Sequence, residues 1–371
     1  MSRAVGAVAV GAVAVVTARA AYVGLRRRPP AGEKTWTRTN HRGERVTLLE
    51  GPAAAAGAIS AELLAAAMAA KSAGRAGPCR AGPCRAVAGT ALAGGGALAF
   101  GLIDDLAGSA KRRGLRGHLG ALAHGEVTTG TVKLGGLAAT GLAAALLAPR
   151  AAAGAPGKNA GAPGKNVAAS GTAADVVINA GLIAGGANLL NLFDLRPGRA
   201  IKVAVLSGGL IAAGSAVTGK GQAGLVAVLP SVGAALALLP EDLGERAMLG
   251  DAGANALGAM LGEAAARSLP RRARIGLLAG IVALTVASEK VSFTEVIERT
   301  PPLRRLDMLG RRPVLLAAPP VAGAEPDGLA RTQPPRQRMG RHRRAGSGVG
   351  RVRSVARFFQ FFVKTPAQQE P

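Results

Sequence analysis

Long runs of small apolar residues limit what this chain can fold into. They consist mostly of Ala, Gly, Val and Leu, and each is roughly 18 to 22 residues long, which is the length that crosses a bilayer as an α-helix. Hydrophobic residues make up 49% of the 371 residues. Small residues also let membrane helices approach one another closely. The pattern therefore predicts an all-α, polytopic membrane protein rather than a series of soluble domains.

Nine apolar runs are candidate transmembrane helices. The first covers about 5–25 and ends in RRRPP, which favours a membrane helix with its C-terminal end in the cytoplasm over a signal peptide. The other eight lie at about 52–70, 86–105, 131–149, 172–193, 201–218, 223–240, 251–268 and 273–288. Lys and Arg are more frequent in the loops that this arrangement puts in the cytoplasm. We expect a multi-pass protein of the plasma (inner) membrane, with residues 106–130 in the cytoplasm.

The composition changes after about Arg312. Residues 1–312 contain the nine apolar runs, whereas residues 313–371 are basic, contain Gly and Pro, and lack a sustained apolar period. We interpret the first part as a membrane domain and the second as a basic, largely disordered cytoplasmic tail. The formal net charge is +25. For a chain anchored in a bilayer, attraction to the membrane surface explains the charge of the tail better than nucleic-acid binding does, and a solvated tail without a specific role explains it equally well.

Carboxylates stand at the ends of several predicted helices. Asp104 and Asp105 end an apolar run in FGLIDDL, and Asp251 lies between glycines in MLGDAGANALG. Charge at a membrane boundary is costly unless it is solvated, paired or bound to a cation. Basic residues on the same predicted side, among them Lys133 in TTGTVKLGG and the pair in PPLRRLD, are candidates to hold an anionic substrate.

Two amides and a further carboxylate form a third polar group. Asn188, Asn191 and Asp194, in NLLNLFDLRPGR, share one helical face because they are spaced three residues apart. Such oxygen ligands on one membrane face suit Mg²⁺, which takes one or two carboxylates together with substrate phosphates. Each group also has a structural explanation, as a solvated helix end, an interhelical hydrogen bond or a turn. Their combination on one side of the membrane is what indicates a site.

With these three motifs in this order, the chain resembles the polyprenyl-phosphate N-acetylhexosamine-1-phosphate transferases. This is glycosyl transferase family 4, which includes phospho-N-acetylmuramoyl-pentapeptide transferases. The resemblance covers roughly residues 1–312 and rests on FGLIDDL, NLLNLFD and MLGDAGANALG. It implies a polytopic helical fold, dependence on Mg²⁺ and an active site on the cytoplasmic face. The implied reaction moves a sugar-1-phosphate from a UDP-sugar to a polyprenyl phosphate and releases UMP, as in the synthesis of peptidoglycan and other cell-wall precursors.

The resemblance also implies roles for individual residues. Asp104 and Asp105 match the catalytic aspartate pair of the family, and Asp194 and Asp251 are the expected metal ligands. The candidate substrate-binding residues are Asn188, Asn191, Lys133, Arg304 and Arg305. The expected partners are a polyprenyl phosphate lipid, a UDP-sugar and the membrane, with no nucleic acid. A homodimer is left open.

Three departures from the family pattern leave a second interpretation open. Pro197 stands where the family usually has a second aspartate, the histidine motif of the last cytoplasmic loop is missing, and a tenth span is not evident. Arg196 and Arg199 add positive charge near Pro197 and would suit an anionic ligand. The alternative is therefore a non-enzymatic relative that binds lipid-linked sugars or assists envelope assembly. A transporter ranks third, since polar breaks in transporters lie nearer the bilayer midplane.

Overall fold

The computed structural model describes residues 3–72, 81–107, 117, 120, 121, 123–147 and 165–312. Within these residues almost all regular structure is helical. The helices are α1 Arg3–Arg27, α2 Glu33–Trp36, α3 Glu50–Ser72, α4 Ala81–Ala107, α5 Thr129–Leu147, α6 Lys165–Phe193, α7 Arg199–Val217, α8 Gly221–Leu243, α9 Gly250–Ser268, α10 Arg271–Ser288, α11 Phe293–Arg299 and α12 Pro301–Met308. The strands β1 Thr37–Thr39 and β2 Arg45–Thr47 form one antiparallel pair. The predicted tail, 313–371, lies outside the described residues.

Seven of these helices are long and apolar enough to cross a membrane. The spans are Ala4–Arg27, Glu50–Ala69, Val87–Ala107, Thr129–Leu147, Ala173–Phe193, Arg199–Val217 and Gly221–Leu243. The prediction of a helical, multi-pass membrane protein is therefore confirmed. The count of nine is not reproduced within the described chain, although helices do form at both remaining predicted positions, α9 and α10. Helices α10 and α11 meet at a bend of 96°, and α10 counts as a membrane span only if the two are taken as one broken span.

Helix α9 is less apolar than the seven spans, because it lies inside the protein rather than against lipid. It contacts α3, α4, α6, α7 and α8, and most of its side chains are buried, including Asn255 and Glu263. An α-helix enclosed on all sides has no lipid-facing stripe and so tolerates polar side chains that find partners within the bundle. Arg267 supplies one such partner, with its Nε 2.7 Å from Glu263 Oε2.

Glycines allow α9 to pack directly against the backbone of α6. A Cβ atom at Gly258 would lie 2.3 Å from the carbonyl oxygen of Gly186, and one at Gly262 would lie 2.2 Å from that of Leu182. A residue with a Cβ atom therefore does not fit at either position unless the backbones move apart. Small residues at membrane helix crossings are expected for this reason, since dispersion contacts replace the hydrophobic driving force inside a bilayer.

The β1–β2 hairpin fastens the segment between α1 and α3 to the end of the helical bundle. Trp36 is buried, and its Nε1 donates to the Pro30 carbonyl at 2.7 Å. Strand β2 also bonds to the loop between α8 and α9, because Thr47 N donates to the Arg246 carbonyl at 3.2 Å and Met248 N donates to the Thr47 carbonyl at 3.0 Å. The sequence analysis treated this segment only as a polar loop, yet it packs over residues of the candidate site.

Candidate active site

Consecutive long helices alternate in direction, so several of their ends meet at what we call the polar end of the bundle. Helices α4, α6 and α8 end there, and α3, α5, α7 and α9 begin there. The contacts of Lys133, in the second turn of α5, join three of these helix ends. Its Nζ lies 3.3 Å from Asp104 Oδ2 and forms a close ion pair with Asp251 Oδ2. Three predicted site residues, from α4, α5 and α9, thus form one ion cluster.

The Lys133 cluster contains two carboxylates and one ammonium group. Lys133 has a side chain that is only 11% exposed, whereas the Asp104 and Asp251 side chains are each 22% exposed. Asp104 also hydrogen-bonds with Thr129 at the start of α5 and lies within hydrogen-bonding reach of Asp251. The cluster is therefore anchored from three helices and still reaches solvent through its carboxylates.

Asp105 points in a different direction from its neighbour and caps α9. Its Oδ1 accepts a hydrogen bond from Asp251 N at 3.1 Å, and its Oδ2 accepts one from Ala252 N at 2.9 Å. The first amide groups of a helix have no partner within the helix and carry partial positive charge, so a carboxylate there is stabilising. The Arg38 guanidinium of the hairpin in turn donates to the carbonyl oxygen of Asp105. Asp105 thus holds Asp251 in position.

Asp194 follows α6 and completes the cap of α9. It accepts a hydrogen bond from the backbone N–H of Gly250, and its Oδ2 is buried with no hydrogen-bond partner among the described residues. Burial raises the pKa of Asp194 well above its usual range, and the nearby Asp242 and Asp105 carboxylates raise it further. The structure therefore brings together all four aspartates that the sequence analysis singled out, around the first turn of α9.

The other predicted residues lie at the margin of this group. Asn188 and Asn191 are half-buried in the last turns of α6. Arg304 and Arg305 are exposed on α12 and make no hydrogen bond or ion pair with the described aspartates of the site. The buried face of α12 presents Asp307 instead.

Asp307 forms an ion pair with Arg199, one of the two arginines near Pro197. Arg199 Nε lies 2.7 Å from Asp307 Oδ1, and its Nη2 lies 3.1 Å from Oδ2. Arg196 Nη2 lies 3.7 Å from Glu298. Burial alone would raise the pKa of Asp307, but the hydrogen bonds from Arg199 outweigh it and hold the pKa below its usual range. Arg199 is therefore engaged by Asp307, and that these two arginines hold an anionic ligand stays a prediction.

A further set of carboxylates was missed by the sequence analysis. Glu50 is fully buried at the start of α3, and neither of its carboxylate oxygens has a hydrogen-bond partner among the described residues. Asp242, near the end of α8, is 3% exposed and accepts a hydrogen bond from Gly198 N–H. Both lie close enough to Asp194 for their charges to interact. LLPEDLGER and TLLEGP place acidic residues at span ends, but no motif connects them.

Glu245 adds a strained position next to Asp242. Its backbone φ is +55°, in the left-handed region that non-glycine residues rarely adopt. Asn40 Nδ2 donates to Glu245 Oε2 at 3.0 Å, and Arg42 Nε lies 3.1 Å from Oε1. The hairpin therefore fixes the carboxylate of Glu245. Nearby, burial lowers the pKa of His41, and the positive charge of Arg196 lowers it further.

The aspartates at the polar end offer few ligands for Mg²⁺. No three His, Cys, Asp or Glu side chains in the described part of the chain are grouped closely enough to hold a metal ion together. The unpartnered Oδ2 of Asp194 is a suitable hard-oxygen ligand, whereas Asp251 is already paired with Lys133. That Asp194 and Asp251 hold Mg²⁺ stays a prediction, in which they form a two-carboxylate pair and substrate phosphates and water complete the coordination.

Comparison with known proteins adds no relative to this description. Neither the scan against protein-family models nor the search of curated proteins returned a match. The family resemblance therefore rests on the three sequence motifs, and the arrangement of their aspartates around α9 is the structural observation that accompanies it.

Proposed function

We propose that this protein transfers a sugar-1-phosphate from a UDP-sugar to a polyprenyl phosphate. The observation that carries the proposal is the convergence of Asp104, Lys133 and Asp251 from three helices, with Asp105 and Asp194 holding the start of α9 between them. An ammonium group between two partly exposed carboxylates at the end of a membrane helix bundle could contact a phosphate that approaches from the membrane boundary.

The proposed reaction is a phosphoryl transfer. An oxygen of the lipid phosphate attacks the β-phosphorus of the UDP-sugar, the bond from that phosphorus to the bridging oxygen breaks, and UMP leaves with the bonding electrons. Lys133 holds an incoming phosphate oxygen, and Asp104 keeps Lys133 charged and oriented. When bound to Asp194 and Asp251, Mg²⁺ supplies charge neutralisation on the diphosphate.

The finer membrane arrangement belongs to the same proposal. Helices α9 and α10 also cross the membrane in it, which makes nine spans, and the polar end faces the cytoplasm of a plasma membrane. The excess of Lys and Arg in the loops at this end supports that orientation. The low hydropathy of α9 is compatible with it, because α9 is enclosed by other helices.

The test is UMP release by membranes that contain the full chain, with polyprenyl phosphate and a panel of UDP-sugars. Asp251→Asn keeps the size of the side chain but removes its charge, and we expect turnover to fall by at least about 100-fold. Asp175→Asn is the matched control, because Asp175 lies in α6 about 28 Å from Asp194 at 1.5 Å per residue. Undiminished turnover of Asp251→Asn would refute the assignment.

One observation favours the non-catalytic alternative. Asp105 uses both carboxylate oxygens, and Asp194 uses one, to cap α9. A capping role would preserve these aspartates in a chain that binds a lipid-linked sugar without turnover. Binding of a UDP-sugar by the purified protein, with no UMP released for any member of the panel, would support this alternative over the transferase.

A further inference from the structure

Two glutamates and an arginine meet inside the helical bundle, away from the polar end. Glu62 of α3 is 5% exposed and Glu263 of α9 is 2% exposed, and Arg267 lies one turn after Glu263. Along α9, Glu263 is about 18 Å from Asp251 at 1.5 Å per residue. We call these three residues, together with Thr90 of α4, the interior cluster. Ionisable groups inside a membrane bundle are costly, and they commonly mark a functional site.

The interior cluster has more negative than positive charge when both glutamates are ionised. Arg267 Nη1 lies 2.7 Å from Glu62 Oε1, and Arg267 Nε lies 2.7 Å from Glu263 Oε2. A guanidinium group carries a single charge and keeps its proton in proteins, so it balances only one of the two carboxylates. The second carboxylate would leave one uncompensated charge in a buried place, which is strongly unfavourable.

The hydrogen bonds of the cluster show which carboxylate is left over. Glu62 Oε1 accepts from Arg267 Nη1 at 2.7 Å and from Thr90 Oγ1 at 3.4 Å. Both carboxylate oxygens of Glu263 are buried and accept no hydrogen bond from the described residues, since Arg267 Nε is close to Oε2 but not aligned with it. Thr90 also lies near enough to Glu263 to interact with it. Its hydroxyl group has one hydrogen, and that hydrogen is donated to Glu62.

The other charged side chains of the helices that pack against α9 do not supply a second cation. Arg85 of α4 donates to the Leu146 carbonyl at 3.0 Å, and Asp175 of α6 pairs with Arg274 at 3.1 Å. The remaining charged side chains that the structure describes on these helices stand at the polar end: Glu50, Asp104, Asp105, Lys133, Arg199, Lys202, Glu241 and Asp242. The ion pairs of the described side chains therefore bring only Arg267 to the two glutamates.

We propose that the interior cluster binds one proton, which Glu263 carries as a neutral carboxylic acid. The new O–H group donates to Thr90 Oγ1, Thr90 donates to Glu62, and the Glu62 carboxylate pairs with Arg267. The cluster is then neutral, and the buried Glu263 gains the hydrogen bond that it lacks. A proton adds almost no volume, so the site needs no cavity. The inference does not rest on the transfer reaction, whose residues stand at the polar end.

The test is the infrared spectrum of the purified full chain in dodecyl maltoside, a detergent without a carbonyl group. At about pH 6 an ordinary glutamate is ionised, whereas a protonated one shows the higher-frequency C=O stretch of a carboxylic acid. We expect Glu263→Gln to lose one such acid band relative to the unmodified chain. Glu62→Gln should lose the same band, because the Glu263 carboxylate then balances Arg267 alone and releases its proton.

Glu33→Gln is the matched control, because the Glu33 side chain is 79% exposed and its nearest cation is Arg45 at 3.8 Å. Its spectrum should keep every acid band of the unmodified chain. The amide bands of the same spectra show whether each variant keeps its helices. An acid region that Glu263→Gln leaves unchanged would overturn the proposal, whatever the result for UMP release. If Glu263→Gln does not fold, an acid region unchanged in Glu62→Gln would overturn it instead.

Discussion

The crossing of α6 and α9 offers the sharpest test of the fold, through the variant Gly258→Ala. The two backbones contact in both directions, because a Cβ at Gly258 would lie 2.3 Å from Gly186 O and a Cβ at Gly186 would lie 2.7 Å from Gly258 O. Both obstacles are backbone atoms, so no side-chain rotation relieves them. An added methyl group must therefore push the helices apart by about 1 Å, which reduces dispersion contacts along the crossing.

Overpacking of this kind costs about 1–3 kcal/mol. The matched control is Gly280→Ala in α10, where an added Cβ would meet nothing within 4 Å. The control should be neutral or more stable by up to about 1 kcal/mol, because Ala favours the helix more than Gly does. Thermal unfolding of the purified protein in detergent would show a midpoint several degrees lower for Gly258→Ala alone. Equal midpoints for the two variants would refute the direct contact between α6 and α9.

Two further predictions concern charged contacts. Lys133→Met should destabilise the protein by about 3–5 kcal/mol in thermal unfolding, because it leaves the Asp104 and Asp251 carboxylates without their cation; adding Asp251→Asn should recover part of that loss, and no recovery would contradict the ion cluster. Asp307 has a lowered pKa, so its pairing with Arg199 stabilises the folded state above about pH 4 and is lost as the pH falls through the lowered value. Between about pH 5 and pH 2 the midpoint of Asp307→Asn should fall less than that of the unmodified chain, and parallel curves would argue against the pair.

The hydropathy pattern predicted the helices well because a residue that faces lipid must be apolar whatever its neighbours are. Each predicted span overlaps a long helix, and the ends of the two agree to within seven residues wherever the structure describes them. The same reasoning fails for α9 as a membrane span, since its environment is other helices. Asn255 and Glu263 are fully or almost fully buried there, and local composition does not reveal which helix will be enclosed.

For the candidate site, motif order and helix alternation predicted that Asp104, Asp194 and Asp251 would lie on one face, and they meet around the start of α9. The sequence did not predict which contacts each aspartate makes. Asp104 and Asp105 are adjacent in the chain, yet one reaches Lys133 and the other caps α9, because consecutive helical side chains diverge by about 100°.

The sequence alone determined that this chain forms membrane helices and that its aspartates stand at their ends, because both depend on local composition and on the length of the apolar runs. Only the tertiary structure decided which charges pair and which remain without partners. Arg199 is neutralised by Asp307, more than 100 residues away in the chain. Glu50 and Asp242 lie close enough for their charges to interact, and neither has an ion-pair partner among the described residues. Electrostatic energy depends on distance and burial, and contacts between distant segments set both.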